Sequence, residues 1–348
     1  MKKVQAWVAD APQGELTLKE IELPPLQPGD VEVRIVACGV CASDVTILRS
    51  PMAIPPYKFP LVAGHEGTGI VTEVGAAVQH LKVGDRVGCG VYRGNCGTCH
   101  GCYHGADNVC QAKMLMFAHG QPGCFAHHVR LSGRFAFRLP DGMDLEVAAP
   151  LMCAGLTTFS PFRQHNIKPG DKVGIVGIGG LGHIAVQIGR AYGCEVFAFT
   201  TSPGKADDIR RLGAHHVVCS KEGAAGVKTF ADVAGKLNYI LFTASVHGDV
   251  DIKQYVQCLA FGGKLILMGF AMAPSLNVGF ADLIMGERSI VGSAAGSSGN
   301  CIDMLEFCAL HGIKPMTEVF PSSDINAVLT KVAKNEVRFR AVLRFSDA

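Results

Sequence analysis

Lys172-Val173-Gly174-Ile175-Val176-Gly177-Ile178-Gly179-Gly180-Leu181-Gly182-His183 reads as a short apolar strand, a glycine-rich turn and the first turn of a helix. Lys172–Val176 supplies the strand. Leu181, Ile184, Ala185 and Ile188 then fall on one helical face. Between them, Gly177-x-Gly179-Gly180-x-Gly182 has the spacing of a dinucleotide-binding loop. Such a run carries weight only in this strand–turn–helix setting. The first glycine makes the turn, the second lets backbone approach a pyrophosphate, and the third allows close helix–strand packing. The helix N-terminus offers N–H donors and a positive dipole end to the phosphates. Gly177, Gly179, Gly180, Leu181 and Gly182 are therefore the expected cofactor contacts. A tight turn without a ligand is the other interpretation.

Downstream, strand-like runs recur at Glu195–Thr200, His216–Cys219, Tyr239–Thr243, Lys264–Gly269 and Ser289–Gly292. Helical segments such as Asp208–Leu212 and Ile252–Ala260 lie between them. This alternation predicts an α/β class with a doubly wound parallel sheet over residues 153–293. The second strand should end near the adenosine ribose. An NAD enzyme usually places an acid there. Here Thr200-Thr201-Ser202-Pro203-Gly204-Lys205 offers hydroxyls and a lysine, and no acid before Asp207. Thr201, Ser202 and Lys205 suit a 2′-phosphate, so NADP(H) is the expected cofactor. The other possibility is that Lys205 merely begins a solvated helix.

Upstream, residues 1–90 read mainly as strands. Val31, Val33 and Ile35 alternate with Glu32 and Arg34, and Gly69–Val78 and Val83–Val87 look similar. Pro24-Pro25, Pro28-Gly29, Pro55-Pro56 and Gly84-Asp85 punctuate them. Beyond Ser293, a helix at Cys301–His311 and a final strand at Ala341–Phe345 are expected to fold back on this part. The division is 1–152 with 294–348, and 153–293. The length of 348 residues suits two domains.

With 32 basic and 30 acidic side chains the net charge is +2, and no basic stripe points to nucleic acid. No apolar run reaches the ~20 residues of a membrane span. The N-terminus lacks an apolar secretory core, so a cytoplasmic setting is expected. There, 14 cysteines favour metal binding or redox chemistry over disulfides. Residues 92–112 are rich in Gly, Cys and His and cannot build a core of their own.

Within them, Cys96-x2-Cys99-x2-Cys102-x7-Cys110 can close a tetrahedral thiolate shell around structural zinc. A ferredoxin-type run would have a three-residue last gap and a proline after its fourth cysteine. Unmetallated buried thiols are the bland alternative. Cys41, His65 and Cys153 are each weak signals alone. Together, two cysteines and one histidine would leave a fourth zinc position open to substrate. Cys38, three before Cys41, reads better as a buried strand residue. Cys89, Cys124, Cys194 and Cys258 read as small hydrophobes. His127-His128 lies on a strand and carries no ligand assignment.

Gly64-His65-Glu66-x2-Gly69-x5-Gly75-x2-Val78, followed by the four-cysteine run, resembles zinc-dependent medium-chain alcohol dehydrogenases over essentially the full chain. Leu151-Met152-Cys153-Ala154-Gly155-Leu156-Thr157-Thr158, Gly177–His183 and Val337-Arg338-Phe339-Arg340 resemble the cinnamyl-alcohol-dehydrogenase-like branch. The resemblance implies a GroES-like catalytic domain joined to a Rossmann domain, with two zinc ions per chain. It implies catalytic zinc on Cys41, His65 and Cys153, with Glu66 beside the metal and Asp44 orienting His65. Ser43 would be the first proton carrier, Thr157 would lie near the nicotinamide, and Arg340 near the cofactor phosphates. It also implies a homo-oligomer, a dimer or a tetramer.

The chain departs from that pattern at three places. Ala42 stands where His or Arg is frequent. Thr46 stands where a histidine often ends the proton relay, so the proton is expected to leave through Thr46 or through water. The segment between Cys110 and Gly123 is short, leaving Leu115, Met116 and Phe117 as candidate pocket wall. The expected reaction is hydride transfer between NADP(H) and a primary alcohol or aldehyde, aromatic or medium aliphatic. A polyol or secondary-alcohol dehydrogenase, or a non-catalytic NADPH- and zinc-binding redox sensor, are the alternatives.

Overall fold

The computed structural model describes residues 2–50, 57–118, 120–219, 226–244, 251–268 and 276–346. Pro55-Pro56 and Gly269 lie outside the described residues. The chain divides into two compact units. One comprises Met1–Cys153, Ser297–Ala309 and Lys314–Ala348. The other comprises Ala154–Gly296 and Leu310–Ile313. Cys153 thus sides with the first unit, whereas the sequence division opened the second unit with it. Residues 294–296 and 310–313 likewise side with the second unit.

In the second unit the apolar runs form one parallel sheet. Its spatial order is His216–Cys219, Glu195–Thr200, Lys172–Val176, Leu237–Phe242, Leu259–Met268 and Ser289–Ser293. Strands buried on both faces read as continuous hydrophobic runs. Val176, Phe199, Val218, Ile240, Phe242 and Leu265 share their core. The strand order reverses between Lys172–Val176 and Leu237–Phe242. Doubly wound folds bind ligands outside the carboxyl ends of strands at such a reversal. Gly177 follows one of these strands and Thr243 the other.

Two segments differ from their sequence expectation. The helix opening at Ile252 stops at Cys258, and Leu259–Ala260 already belong to the next strand. Leu259 is already extended, at φ −69° and ψ 136°, and this ends the helix. The strand expected at Val83–Val87 begins only at Arg86. Gly84 adopts φ +91°, and Lys82 N donates to Asp85 Oδ2 at 3.0 Å, closing a turn there.

In the first unit the strand Asp30–Val40 is central. It pairs antiparallel with Gly67–Val74, His128–Ser132 and Arg340–Arg344. The tail does return to this unit, with Ala341 opposite Val40 and Val342 opposite Gly39. That register brings Arg340 to the end of the strand that leads into Cys41. The cysteine-rich stretch is closed at its base by a two-stranded ribbon, Tyr92–Gly94 with Met114–Leu115. Asp107 within it is buried and accepts from Ser298 N at 2.9 Å and Ser298 Oγ at 2.5 Å. These bonds tie the stretch to the start of the helix Ser298–His311.

Candidate active site and metal centres

Cys41 follows the central strand and caps the helix Ala42–Arg49. Asp44, one turn along, is fully buried. Its carboxylate accepts from Cys41 N at 2.9 Å and from Gly64 N at 3.2 Å. His65 Nδ1 lies 3.0 Å from the same carboxylate. A carboxylate only accepts, so Nδ1 donates to it and Nε2 is the nitrogen left to serve as a ligand. Nε2 then faces a cluster. One ligand atom from each of Cys41, His65, Glu66 and Cys153 lies within 4.8 Å of all the others. Cys38 is buried in the strand and stands outside this set.

Contact with the Cys153 thiol pulls Cys41 well below the ordinary thiol value, against the opposing effect of burial and with help from His65. Glu66 is fully buried, and burial lifts its carboxyl to about 7 even though Arg340 opposes this. Arg340 Nη2 donates to Glu66 Oε1, while Glu66 Oε2 and Arg340 Nε have no partner among the described residues. The Arg340 side chain, expected near cofactor phosphates, is thus buried against Glu66 and retains a free donor. A Cβ on Gly39 would lie 2.0 Å from Glu66 Oε2, so a side chain here would displace this carboxylate. Two thiols, an oriented imidazole nitrogen and an orphaned carboxylate oxygen form a donor set that fits zinc.

Ser43 Oγ is 3.4 Å from His65 Nε2. Thr46 is not joined to it: the Thr46 hydroxyl donates to Ala42 O at 3.0 Å, as short hydroxyls in helices often do. Among the described residues no bond joins Ser43 to Thr46, one of the two proton exits expected from the sequence. The wall beside the cluster is aromatic. Phe117 lies 5.7 Å from the His65 ring and stacks on Tyr57 at 5.0 Å. Tyr92 is buried, and burial, together with nearby Cys153, Asp107 and Tyr57, lifts its phenol to about 12. Of the three candidate wall residues, Phe117 makes the contact and Met116 is buried beside it. Tyr57 and Tyr92 escaped sequence reasoning because nothing local marks a tyrosine that tertiary folding brings to His65 or Cys153.

The other cysteines also converge. Cys96–Cys110, Cys99–Cys102 and Cys96–Cys102 have Sγ–Sγ separations of 3.5, 3.6 and 4.0 Å. These are too long for disulfides. A tetrahedron built on Zn–S bonds of ~2.3 Å has edges of about 3.8 Å, so the shell fits zinc. The amide of Thr98 and the Cys110 thiol pull Cys96 down to about 6.

In the second unit, Gly177 has φ +85°, and a Cβ there would meet Ala244 at 2.8 Å. Gly179 has nothing within 4 Å of its missing Cβ. A Cβ on Gly182 would lie 2.0 Å from Gly177 O. The three glycines thus serve turn, open approach and close packing respectively. Gly180 completes the turn, and Leu181 caps the helix Gly182–Ala191. Thr200 Oγ1 accepts from Ser202 N at 3.1 Å, shaping the strand end. Thr201 and Lys205 are exposed there, and Asp207 is paired with Arg210 at 2.8 Å. Thr157 is buried in the helix Ala154–Gln164.

Residues 27–141 match the family described as alcohol dehydrogenase GroES-like domain, and residues 180–309 match zinc-binding dehydrogenase. An aldehyde reductase of Synechocystis sp. is 38% identical over 343 residues, covering 99% of each chain. The chain belongs to the zinc-binding alcohol dehydrogenase family. Like other members of this family it is an oxidoreductase, with a GroES-like domain and a Rossmann-like domain. A solved cinnamyl alcohol dehydrogenase from Sorghum bicolor superposes with a TM-score of 0.90 at 31% identity, covering 99% of this chain and 98% of its own. The Helicobacter pylori CAD, solved in complex with NADP(H), gives 0.88 at 26% identity, covering 99% of both.

Proposed function

We propose that this zinc-type alcohol dehydrogenase transfers hydride reversibly between NADP(H) and a primary alcohol/aldehyde pair, reducing aromatic or medium aliphatic aldehydes. The observation that carries this is the orientation of His65. With Nδ1 on Asp44, Nε2 faces Cys41, Cys153 and Glu66 beside an aromatic wall. The names of the relatives, aldehyde reductase and cinnamyl alcohol dehydrogenase, support it.

Cys41, His65 and Cys153 would hold the catalytic zinc, and Cys96, Cys99, Cys102 and Cys110 a structural one. When bound, zinc supplies Lewis acidity at the carbonyl oxygen and NADPH supplies the hydride. Asp44 fixes the His65 tautomer and raises its basicity. Ser43 carries the proton at the substrate oxygen. With Thr46 turned to Ala42, that proton exchanges between Ser43 and water. Glu66, balanced by Arg340, sits where it can approach the metal. Gly177, Gly179, Gly180, Leu181 and Gly182 receive the pyrophosphate. Thr201, Ser202 and Lys205 receive the 2′-phosphate, and Thr157 lies by the nicotinamide. Phe117 and Tyr57 suit a planar apolar substrate.

The setting we infer is the cytoplasm, where 14 free cysteines stay reduced. Among the described residues no single helix is long and apolar enough to cross a membrane. The assembly we infer is a homo-oligomer, a dimer or a tetramer. Phe280 and Met285, 85% and 84% exposed near the sheet-edge strand Ser289–Ser293, support it. Light scattering that returns a monomer overturns it.

An aldehyde panel, read by loss of NADPH absorbance, tests the activity. Cys153→Ala is expected to abolish turnover while NADPH binding, followed by fluorescence, stays near wild type. Retention of most of the kcat removes Cys153 from the reacting site.

A further inference from the structure

Arg93 is a cation buried to 4% exposure, and among the described residues no carboxylate pairs with it. Burial lowers its pKa to about 10. Its guanidinium is satisfied by main-chain carbonyls instead. Nη1 donates to Met116 O at 2.6 Å and to Pro122 O at 3.0 Å, and Nη2 donates to Arg130 O. Burying a charge is costly unless hydrogen bonds compensate it, and three main-chain carbonyls do so. Here they bracket the segment 116–122.

That segment carries Phe117, stacked on Tyr57 and tilted against His65. Its continuation is laced to the irregular stretch leading into His65: Gly123 N donates to Val62 O and Cys124 N to Gly64 O, both at 2.8 Å. At its start, Met116 N donates to Val91 O at 2.8 Å. Arg93 also neighbours Tyr92, the other aromatic residue beside the cluster. One nitrogen, Nη1, therefore holds both ends of the loop that presents the aromatic wall, while Nη2 anchors the guanidinium on Arg130 O. A fork of fixed donor geometry can do this, and a flexible ammonium cannot reproduce it.

We propose that Arg93 is a positioning residue for the aldehyde, holding Phe117 against His65 through the carbonyls of Met116 and Pro122. This rests on the aldehyde reductase assignment. Its test compares benzaldehyde, which needs the wall, with acetaldehyde, which does not. Arg93→Met raises KM for benzaldehyde by about tenfold, well inside the loss that a misplaced contact can cause. KM for NADPH, and kcat and KM for acetaldehyde, stay near wild type. Arg93→Lys gives an intermediate KM, and carries the test if the Met variant does not fold. In a Phe117→Ala background, the Arg93 substitution adds nothing further. Parallel loss on both aldehydes, or an additive effect in the Phe117→Ala background, overturns the positioning role. If wild type reduces neither aldehyde while binding NADPH, the assignment itself fails, and the positioning role with it.

Discussion

Asp44 has two carboxylate oxygens, and Cys41 N, Gly64 N and His65 Nδ1 surround them. One side chain thereby fixes the backbone on both sides of the cluster and selects the nitrogen that faces it. Removing it would free both Cys41 and His65. Lys205 works by the opposite means, as an exposed charge at a strand end that offers no free acid. A charge-assisted bond from an exposed lysine sits at the low end of such contacts, ~1.5 kcal/mol or about tenfold. Lys205→Ala should therefore raise KM for NADPH about tenfold and leave NADH unchanged. The check is kcat/KM with both cofactors. Parallel losses would remove Lys205 from 2′-phosphate recognition.

Turns and loops separate space for a ligand from space for packing. Gly179 faces open space, whereas a methyl on Gly182 would lie 2.0 Å from Gly177 O. Gly179→Ala should keep the wild-type Tm and weaken NADPH binding at least about tenfold, by blocking approach of the pyrophosphate. Gly182→Ala should lower stability by roughly 1–3 kcal/mol, since the clash is with backbone. Calorimetry with and without NADPH distinguishes the two effects. The cysteine-rich stretch gains its order from its thiolates and from Asp107 on Ser298. Cys99→Ser should leave one zinc per chain by elemental analysis and lower the Tm by about 5 °C or more. The chemical step should change less than stability. Retention of two zinc ions would show that the four thiols are not the second site.

Across the first unit, one buried carboxylate joins four strands. Glu32 on the central strand binds Lys2 at 2.5 Å, His128 at 3.1 Å, Arg130 at 2.7 Å and Thr72 at 2.9 Å. Burial acts to raise its pKa, but the bonds from His128, Lys2, Arg130 and Thr72 outweigh it and hold the carboxyl well below 4.5. A depressed folded-state pKa stabilises above the unfolded value and is lost as pH falls toward the folded one. Glu32 should therefore contribute fully above about pH 5, and progressively less below it. Glu32→Gln leaves Arg130 buried with Glu73 as its one remaining carboxylate partner among the described residues, and should cost roughly 3–5 kcal/mol at pH 7. Urea unfolding at pH 7 and pH 3.5 should show the gap between variant and wild type shrinking in acid. A constant gap would mean that the Glu32 charge is not what the network uses.

Local order alone specified a good deal of this. Strand, glycine turn and helix at Lys172–Ala191, and the clustering of Cys96, Cys99, Cys102 and Cys110, are set by residues adjacent in the chain. Their geometry depends on hydrophobic periodicity, glycine conformation and short spacing, all of which a sequence displays. The other cluster joins Cys41, His65, Glu66 and Cys153. No spacing rule unites those four. Resemblance to a family pointed to them, and the pairing of Arg340–Arg344 with Asp30–Val40 explains why Arg340 meets Glu66. Thr46 turning to Ala42, Tyr57 and Tyr92 reaching the cluster, and Arg93 bracketing the Phe117 loop were decided only in three dimensions. A hydroxyl, a ring or a guanidinium has several possible partners along a chain. Which one it takes depends on the strands and loops that packing brings beside it.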